Sequence, residues 1–167
     1  YAGIPFDKLW DPEVLAGKLS EYDWLHLHHE DFTGQYGKFY ASYRNRRWYE
    51  KKQYEFEKSA HDAGFQTVPQ HKAAVARAIQ AYVAKGGFLF AMCLATDTLD
   101  IALAAGDTDI VPPEIDHTPI DPDYASKLHF DRTFAFKDFQ VDVNPLSNSF
   151  SNIDVNQVNS PARIEPK

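Results

Sequence analysis

The sequence lacks the residues that would build several common classes of protein. A single cysteine among 167 residues excludes an internal disulfide. The longest apolar run, 86–95, has about the length of one buried strand and falls far short of the roughly 20 residues that span a bilayer. Basic residues are few, with 17 Lys and Arg against 24 Asp and Glu. The resulting net charge of −7 argues against nucleic acid and anionic membranes as partners.

The rest of the composition is that of a folded domain. Hydrophobic residues make up 44 % of the chain and charged residues 25 %, which is enough to form a buried core. No Gly-rich phosphate-binding loop occurs, and we predict no cofactor. The chain begins at Tyr1 without an initiator Met, so we expect it to be processed or partial.

Helical and strand-like segments alternate along the first part of the chain. Strand-like runs occupy 22–28 and 88–92, and the second is continuously apolar, as in strands that are covered on both faces of a parallel sheet. This alternation predicts an α/β domain with crossover connections. Helices are predicted in four places: from Asp11 onward, over Tyr40–Ala63, over Pro69–Lys85 and over Asp97–Ala105.

The later part of the chain has a different character. Residues 107–130 are rich in proline and aspartate and predict a loop, while 132–143 alternates weakly and predicts an edge strand or hairpin. Residues 144–167 are rich in Asn, Ser and Pro, so we predict a linker or surface excursion there, after an α/β domain that occupies residues 1–143. Only two strands are clear, whereas a doubly wound sheet usually has about five. We therefore expect the domain to be incomplete at both ends.

The segment 86–104 carries the clearest chemical signal. It contains a helix end marked by two glycines, the apolar strand, Cys93, a sharp turn and an apolar helix. A cysteine at a strand-to-helix turn meets the free amides and the dipole of the helix N-terminus, which favour a thiolate and can hold an oxyanion. This arrangement is the cysteine counterpart of the nucleophile elbow of hydrolases. A structural cysteine buried at the end of a core strand is the alternative.

This segment resembles the strand, Gly-x-Cys-x-Gly and helix pattern of the class I glutamine amidotransferases, with Ala91 and Ala95 in the glycine positions. The whole chain, including 22–34, is also similar to bacterial proteins catalogued as asparagine synthetase B. The resemblance implies a three-layer, flavodoxin-like parallel sheet. It also implies a soluble bacterial protein of the cytoplasm, or of the periplasm or exterior after removal of a signal peptide. The family's His-x-Glu pair does not follow Cys93 here, and a longer parent chain would place it beyond Lys167.

The resemblance implies a hydrolase or amide-transfer domain in which Cys93 attacks the carbonyl of a small amide or ester. The amides of Leu94 and of the loop around Gly34 would hold the oxyanion, and His29 or His28 would act as the base. The alternative is a catalytically inactive relative that binds a small molecule, a sugar or a protein at the same strand edge. The missing His-x-Glu pair and the two alanines favour this alternative.

A cluster of histidines surrounds the end of the first strand. The period of two places His26 and His28 on one face, and His29 starts the loop, where ligands bind in open α/β sheets. Three interpretations stay open: a Cys–His pair, a metal site built from these histidines with Asp31, or packed structural residues. The spacing matches no closed zinc module, so we assign no metal.

The Tyr40–Lys58 stretch interleaves basic and aromatic residues. Such interleaving can bind nucleic acid strands. Glutamates in the same stretch and the negative net charge favour a helix with a salt-bridged, solvated face instead. Its aromatic side chains suit contact with a further domain or a partner chain.

Overall fold

The computed structural model describes residues 3–153. Short 3₁₀ turns, such as Lys18–Glu21 and Tyr36–Lys38, link the longer elements. None of the helices in this part of the chain has the length and apolar character needed to cross a membrane. The helices are α1 (Asp11–Leu15), α2 (Tyr40–Tyr43), α3 (Arg47–Asp62), α4 (Val68–Ala84), α5 (Ala95–Ala104) and α6 (Pro113–Asp116), and the strands are β1 (Trp24–His28) and β2 (Phe88–Met92).

The two strands form a small parallel sheet. Trp24 pairs with Phe88 and His28 with Met92, so both strands end at the same level. Helices α3 and α4 lie in the connection between them. Residues 3–153 contain no other sheet strand, and the predicted strand in 132–143 is reduced to one antiparallel bridge between Val141 and Ser151. The predicted α/β class is confirmed at this level, while the three-layer arrangement and the missing elements stay predictions.

Helix α4 forms where its apolar period predicts it. Its N-terminus is capped by the Thr67 hydroxyl, which accepts a hydrogen bond from the Gln70 amide at 3.4 Å, and a proline occupies the first turn. Val75 and Ile79 face the core. The chain then turns through Gly86 and Gly87, and a Cβ atom on Gly87 would lie 2.2 Å from the Tyr82 ring. Only glycine therefore lets the chain pass from α4 into β2 at this point.

The sheet is covered on one face only within the described part of the chain. The burial of both strands alternates, with Leu25, Leu27, Leu89 and Ala91 packed against the core. The prediction that β2 is covered on both faces is therefore wrong for residues 3–153, since its continuous apolar run hides the alternation. The other face exposes four large apolar side chains with exposed fractions of 38 to 58 %: Trp24, Phe88, Phe90 and Met92.

Helix α5 separates two hydrophobic cores. Leu99 and Leu103 pack toward the sheet and α4, whereas Ile101 and Ala104 pack toward the C-terminal segment. Phe150 is fully buried in this second core, and residues 140–142 pair with 150–152 through backbone hydrogen bonds. The division of the chain at residue 143 stays a prediction, and residues 154–167, most of the predicted linker, lie outside the described residues.

The single helix predicted over Tyr40–Ala63 is wrong in its first part. The chain breaks between α2 and α3, where Arg46 adopts an extended backbone with φ −101° and ψ 130°. The break brings Tyr43 and Trp48 together, with ring centroids 5.0 Å apart. Both rings and that of Phe39 are exposed. The aromatic surface predicted for contact with another domain or chain is therefore present, and such a contact stays a prediction.

Candidate functional site

The candidate site lies where the two parallel strands end together. His28 and Met92 form the last pair of the sheet, and the next residues are His29 in one chain segment and Cys93 in the other. Both leave the strands in the left-handed region, His29 with φ 53° and Cys93 with φ 57°. Such values are uncommon outside glycine and cluster at functional turns. The predicted meeting of the histidine segment and Cys93 at one sheet edge is consistent with this register.

Cys93 occupies an exposed strand-to-helix turn. Its carbonyl accepts hydrogen bonds from the Thr96 amide at 3.0 Å and the Thr96 hydroxyl at 2.6 Å, which fix the turn into α5. The Leu94 amide donates to no turn or loop acceptor within residues 3–153. A backbone amide beside the thiol is the kind of donor that an oxyanion requires. The structural alternative of a cysteine buried in the core does not fit this exposure.

The three histidines lie close to one another on the open side of the sheet. The ring centroids of His28 and His29 are 3.9 Å apart, and those of His26 and His28 are 6.4 Å apart. His26 Nε2 lies 3.3 Å from the Met92 Sδ on the paired strand. No hydrogen bond joins the Cys93 thiol to an imidazole among residues 3–153. A Cys–His pair would therefore need a side-chain rearrangement, and catalytic hydrogen bonds often form only when the substrate binds.

The loop after β1 is held by its own polar groups. Asp31 accepts from the amide and hydroxyl of Thr33, at 2.8 and 2.6 Å, and from the Gly37 amide at 2.7 Å. Gly34 has φ 78°, and a Cβ atom there would lie 2.8 Å from the Pro69 nitrogen. Gly34 is thus required for packing against the start of α4, and its role as an oxyanion donor stays a prediction.

The contacts of Asp31 bear on the metal site considered for this loop. Both carboxylate oxygens of Asp31 are engaged within the loop, as in an Asx turn. The described part of the chain contains no group of three or more His, Cys, Asp or Glu side chains that could hold a metal ion. The Cys–His pair, the metal site and the structural role of the histidines all stay predictions.

Sequence reasoning missed a buried charge beneath the loop. Lys72 is only 3 % exposed, and its Nζ lies 2.6 Å from a Glu30 carboxylate oxygen and 2.9 Å from an Asp11 oxygen. Burial on its own would lower the pKa of Lys72, but the attraction of the two carboxylates outweighs it and raises the pKa. Glu30 directly follows His29, so this cation anchors the histidine loop to α1 and α4. The signal in the sequence was a lysine at a position of α4 where the apolar pattern predicts a buried residue.

Comparisons with protein-family models, with curated proteins and with solved structures find no match to this chain.

Proposed function

We propose that the chain is an amidotransferase-like hydrolase or amide-transfer domain in which Cys93 is the nucleophile. The observation that carries this proposal is the exposed thiol in a left-handed turn between β2 and the N-terminus of α5, next to the histidine-bearing end of β1. The finer fold proposed with it is the three-layer, flavodoxin-like sheet, in which β1 and β2 are two neighbouring strands. Ligands of such sheets bind at the carboxyl ends of the strands, which is where Cys93 lies.

The reaction proposed for this site is acyl transfer to sulfur. His29, or His28 beside it, takes the proton from the Cys93 thiol, and the thiolate forms a bond to the carbonyl carbon of an amide or ester. The Leu94 amide donates to the oxyanion of the tetrahedral intermediate. When that intermediate collapses, the imidazolium returns its proton to the leaving amine or alcohol. Water, deprotonated by the same imidazole, then cleaves the thioester and restores the thiol.

Substrate turnover and acyl trapping test this proposal. The chain is incubated with glutamine and with p-nitrophenyl acetate, and release of ammonia or nitrophenol is followed alongside the intact mass. We expect Cys93→Ala to abolish both turnover and the acyl adduct. We expect His29→Gln or His28→Gln to lower the rate about 10²–10⁴-fold, which is the usual contribution of a general base. The matched control is His129→Gln, an exposed histidine paired with Asp107 and Asp131, which should leave the rate unchanged.

A second function, binding without catalysis at the same edge, is favoured by a specific observation. The Cys93 thiol makes no hydrogen bond to an imidazole within the described residues. Ala91 and Ala95 also stand where the amidotransferase pattern has glycines. In this case neither substrate is turned over, Cys93→Ala has no kinetic effect, and a small molecule, sugar or protein binds the strand edge with equal affinity in both proteins.

A further inference from the structure

The strand ladder ends before His29 and Cys93, so the sheet alone does not fix these two residues relative to each other. The last ladder pair is His28 with Met92. After it, one segment enters the loop that follows β1 and the other enters α5. An acyl-transfer site needs its reacting groups placed within a fraction of an ångström, because small misplacements cost orders of magnitude in rate. Some contact beyond the sheet must therefore fix the two segments relative to each other.

One buried hydroxyl supplies that contact. Thr98 is fully buried in α5, and its Oγ1 lies 2.6 Å from the Leu94 carbonyl oxygen and 2.9 Å from the Glu30 carbonyl oxygen. A threonine hydroxyl has a single hydrogen, which the two carbonyls share. Leu94 is the residue after Cys93, and Glu30 is the residue after His29. The hydroxyl thus joins the two residues that directly follow the proposed nucleophile and base.

The hydrogen bond to Glu30 is the part of this contact that joins the two segments. A helical threonine commonly bonds its hydroxyl to the carbonyl four residues earlier, as Thr98 does to Leu94. The second acceptor, 68 residues away in sequence, is not needed for the helix. Glu30 is also held through its carboxylate by Lys72. Glu30, which directly follows His29, is therefore held through both its backbone carbonyl and its side chain.

We propose that Thr98 is a positioning residue that holds the His29 segment in register with Cys93 through the Glu30 carbonyl. The proposal rests on the proposed function, since it assumes a Cys93–histidine pair. Loss of the hydroxyl leaves the Glu30 carbonyl without this donor and releases the histidine loop from α5. The thiolate–imidazolium pair then forms less readily, although the thiol itself stays exposed at the same turn.

Alkylation of Cys93 by iodoacetamide, followed by mass spectrometry between pH 5 and pH 9, measures this pair directly. A thiolate stabilised by an imidazolium reacts well below the ordinary thiol pKa of about 8.5, whereas a free thiol loses about tenfold in rate per pH unit below that value. For the isosteric Thr98→Val variant we expect a rate at pH 6.5 at least about tenfold below that of the unchanged chain, with near-equal rates at pH 9. The matched control Thr98→Ser keeps the hydroxyl and should stay within about twofold at both pH values.

The outcomes separate the two proposals. Should the unchanged chain react as an ordinary free thiol, and should His28→Gln and His29→Gln leave its profile unaltered, no Cys–His pair exists and both proposals are overturned. A histidine-dependent profile that Thr98→Val leaves intact overturns the role of Thr98 alone. Thr98→Ala replaces the valine variant in the same comparison if that variant is recovered unfolded, and the melting temperature of each protein is recorded beside its rate.

Discussion

At the scale of single residues, two carboxylates that share one hydroxyl lie away from the candidate site. The Thr118 hydroxyl oxygen is 2.8 Å from a carboxylate oxygen of Asp109 and 2.8 Å from one of Asp116. One hydroxyl hydrogen can be donated to only one carboxylate at a time, so the two acids compete for it. Burial raises the pKa of Asp116 from its ordinary 3.8, and the Asp109 charge adds to the effect against the hydrogen bonds from Thr118.

This geometry predicts that Asp116→Asn stabilises the protein at neutral pH. The asparagine oxygen keeps the bond from the Thr118 amide, and its NH₂ donates to the hydroxyl, which then donates to Asp109. We expect a gain of about 1 kcal/mol in the free energy of unfolding at pH 7, the net value of one hydrogen bond, measured by urea denaturation.

The pH dependence of that gain is the sharper test. Because its folded-state pKa is raised, Asp116 stabilises the folded chain fully below pH 3.8, and this contribution is lost as the pH rises through the raised pKa. The advantage of Asp116→Asn should therefore shrink as the pH falls toward 3.8. Asp131→Asn, at a largely exposed position, is the control and should show neither effect. A variant less stable than the unchanged chain at pH 7 would contradict this account of the competition between the two carboxylates.

At the scale of elements, α5 is held to the C-terminal segment by one buried carboxylate. Asp100 accepts hydrogen bonds from the amides of Phe134, Ala135 and Phe136 at 2.7 to 2.8 Å. We expect Asp100→Ala to lower the free energy of unfolding by about 3 kcal/mol, because it leaves three amides without their acceptor. Chemical denaturation measures the loss, and a value below about 1 kcal/mol would show that water or the loop itself replaces the carboxylate.

Two matched variants control this measurement. Asp100→Asn keeps one carbonyl oxygen but turns an NH₂ toward an amide donor, so its cost should fall between those of the unchanged and alanine proteins. Asp131→Ala removes an exposed carboxylate shortly before Phe134 in the sequence. It should change the free energy of unfolding by no more than about 0.5 kcal/mol.

The elements that follow from local pattern were predictable from the sequence, and those that depend on distant contacts were not. Strand β2 and helix α4 follow from a continuous apolar run and a regular apolar period, and both lie within one or two residues of their predicted bounds. The break at Arg46 has neither glycine nor proline to mark it. The burial of Phe150 depends on a second core built around α5, which no local pattern indicates.

The candidate site divides in the same way. The parallel strand ends and the cysteine turn could be inferred from residue order, because a parallel pair brings its carboxyl ends to one edge. The bonds of Thr98 and Lys72 to Glu30 could not, since hydroxyl–carbonyl and lysine–carboxylate pairs between distant residues have no sequence period. The role of Asp31 in the loop could also be inferred from the sequence. An aspartate in a loop commonly accepts a hydrogen bond from the backbone amide two residues later, as Asp31 does from Thr33.

At the scale of the whole molecule, the open face of the sheet is the main surface without a covering element in residues 3–153. Two five-residue strands give a face about 17 Å long and 10 Å wide. An interface of that size is well below the roughly 800 Å² per partner of a stable protein complex. The face alone therefore does not support a stable dimer, and it matches the footprint of a single helix, which is about 10 Å across.

Substitution by lysine should change the stability of the protein little on one face of β2 and strongly on the other. Phe90 is 45 % exposed at the centre of the open face, where the ring of His26 lies against it with ring centroids 5.3 Å apart. We expect Phe90→Lys to change the free energy of unfolding by no more than about 0.5 kcal/mol and to reduce the fluorescence of bound anilinonaphthalene sulfonate. Leu89 is its neighbour on the core side, and Leu89→Lys should cost several kcal/mol because it forces a charge among packed apolar side chains. Equal destabilisation by the two variants would mean that the open face is covered in solution, and an unchanged dye signal for Phe90→Lys would mean that the dye reports another surface.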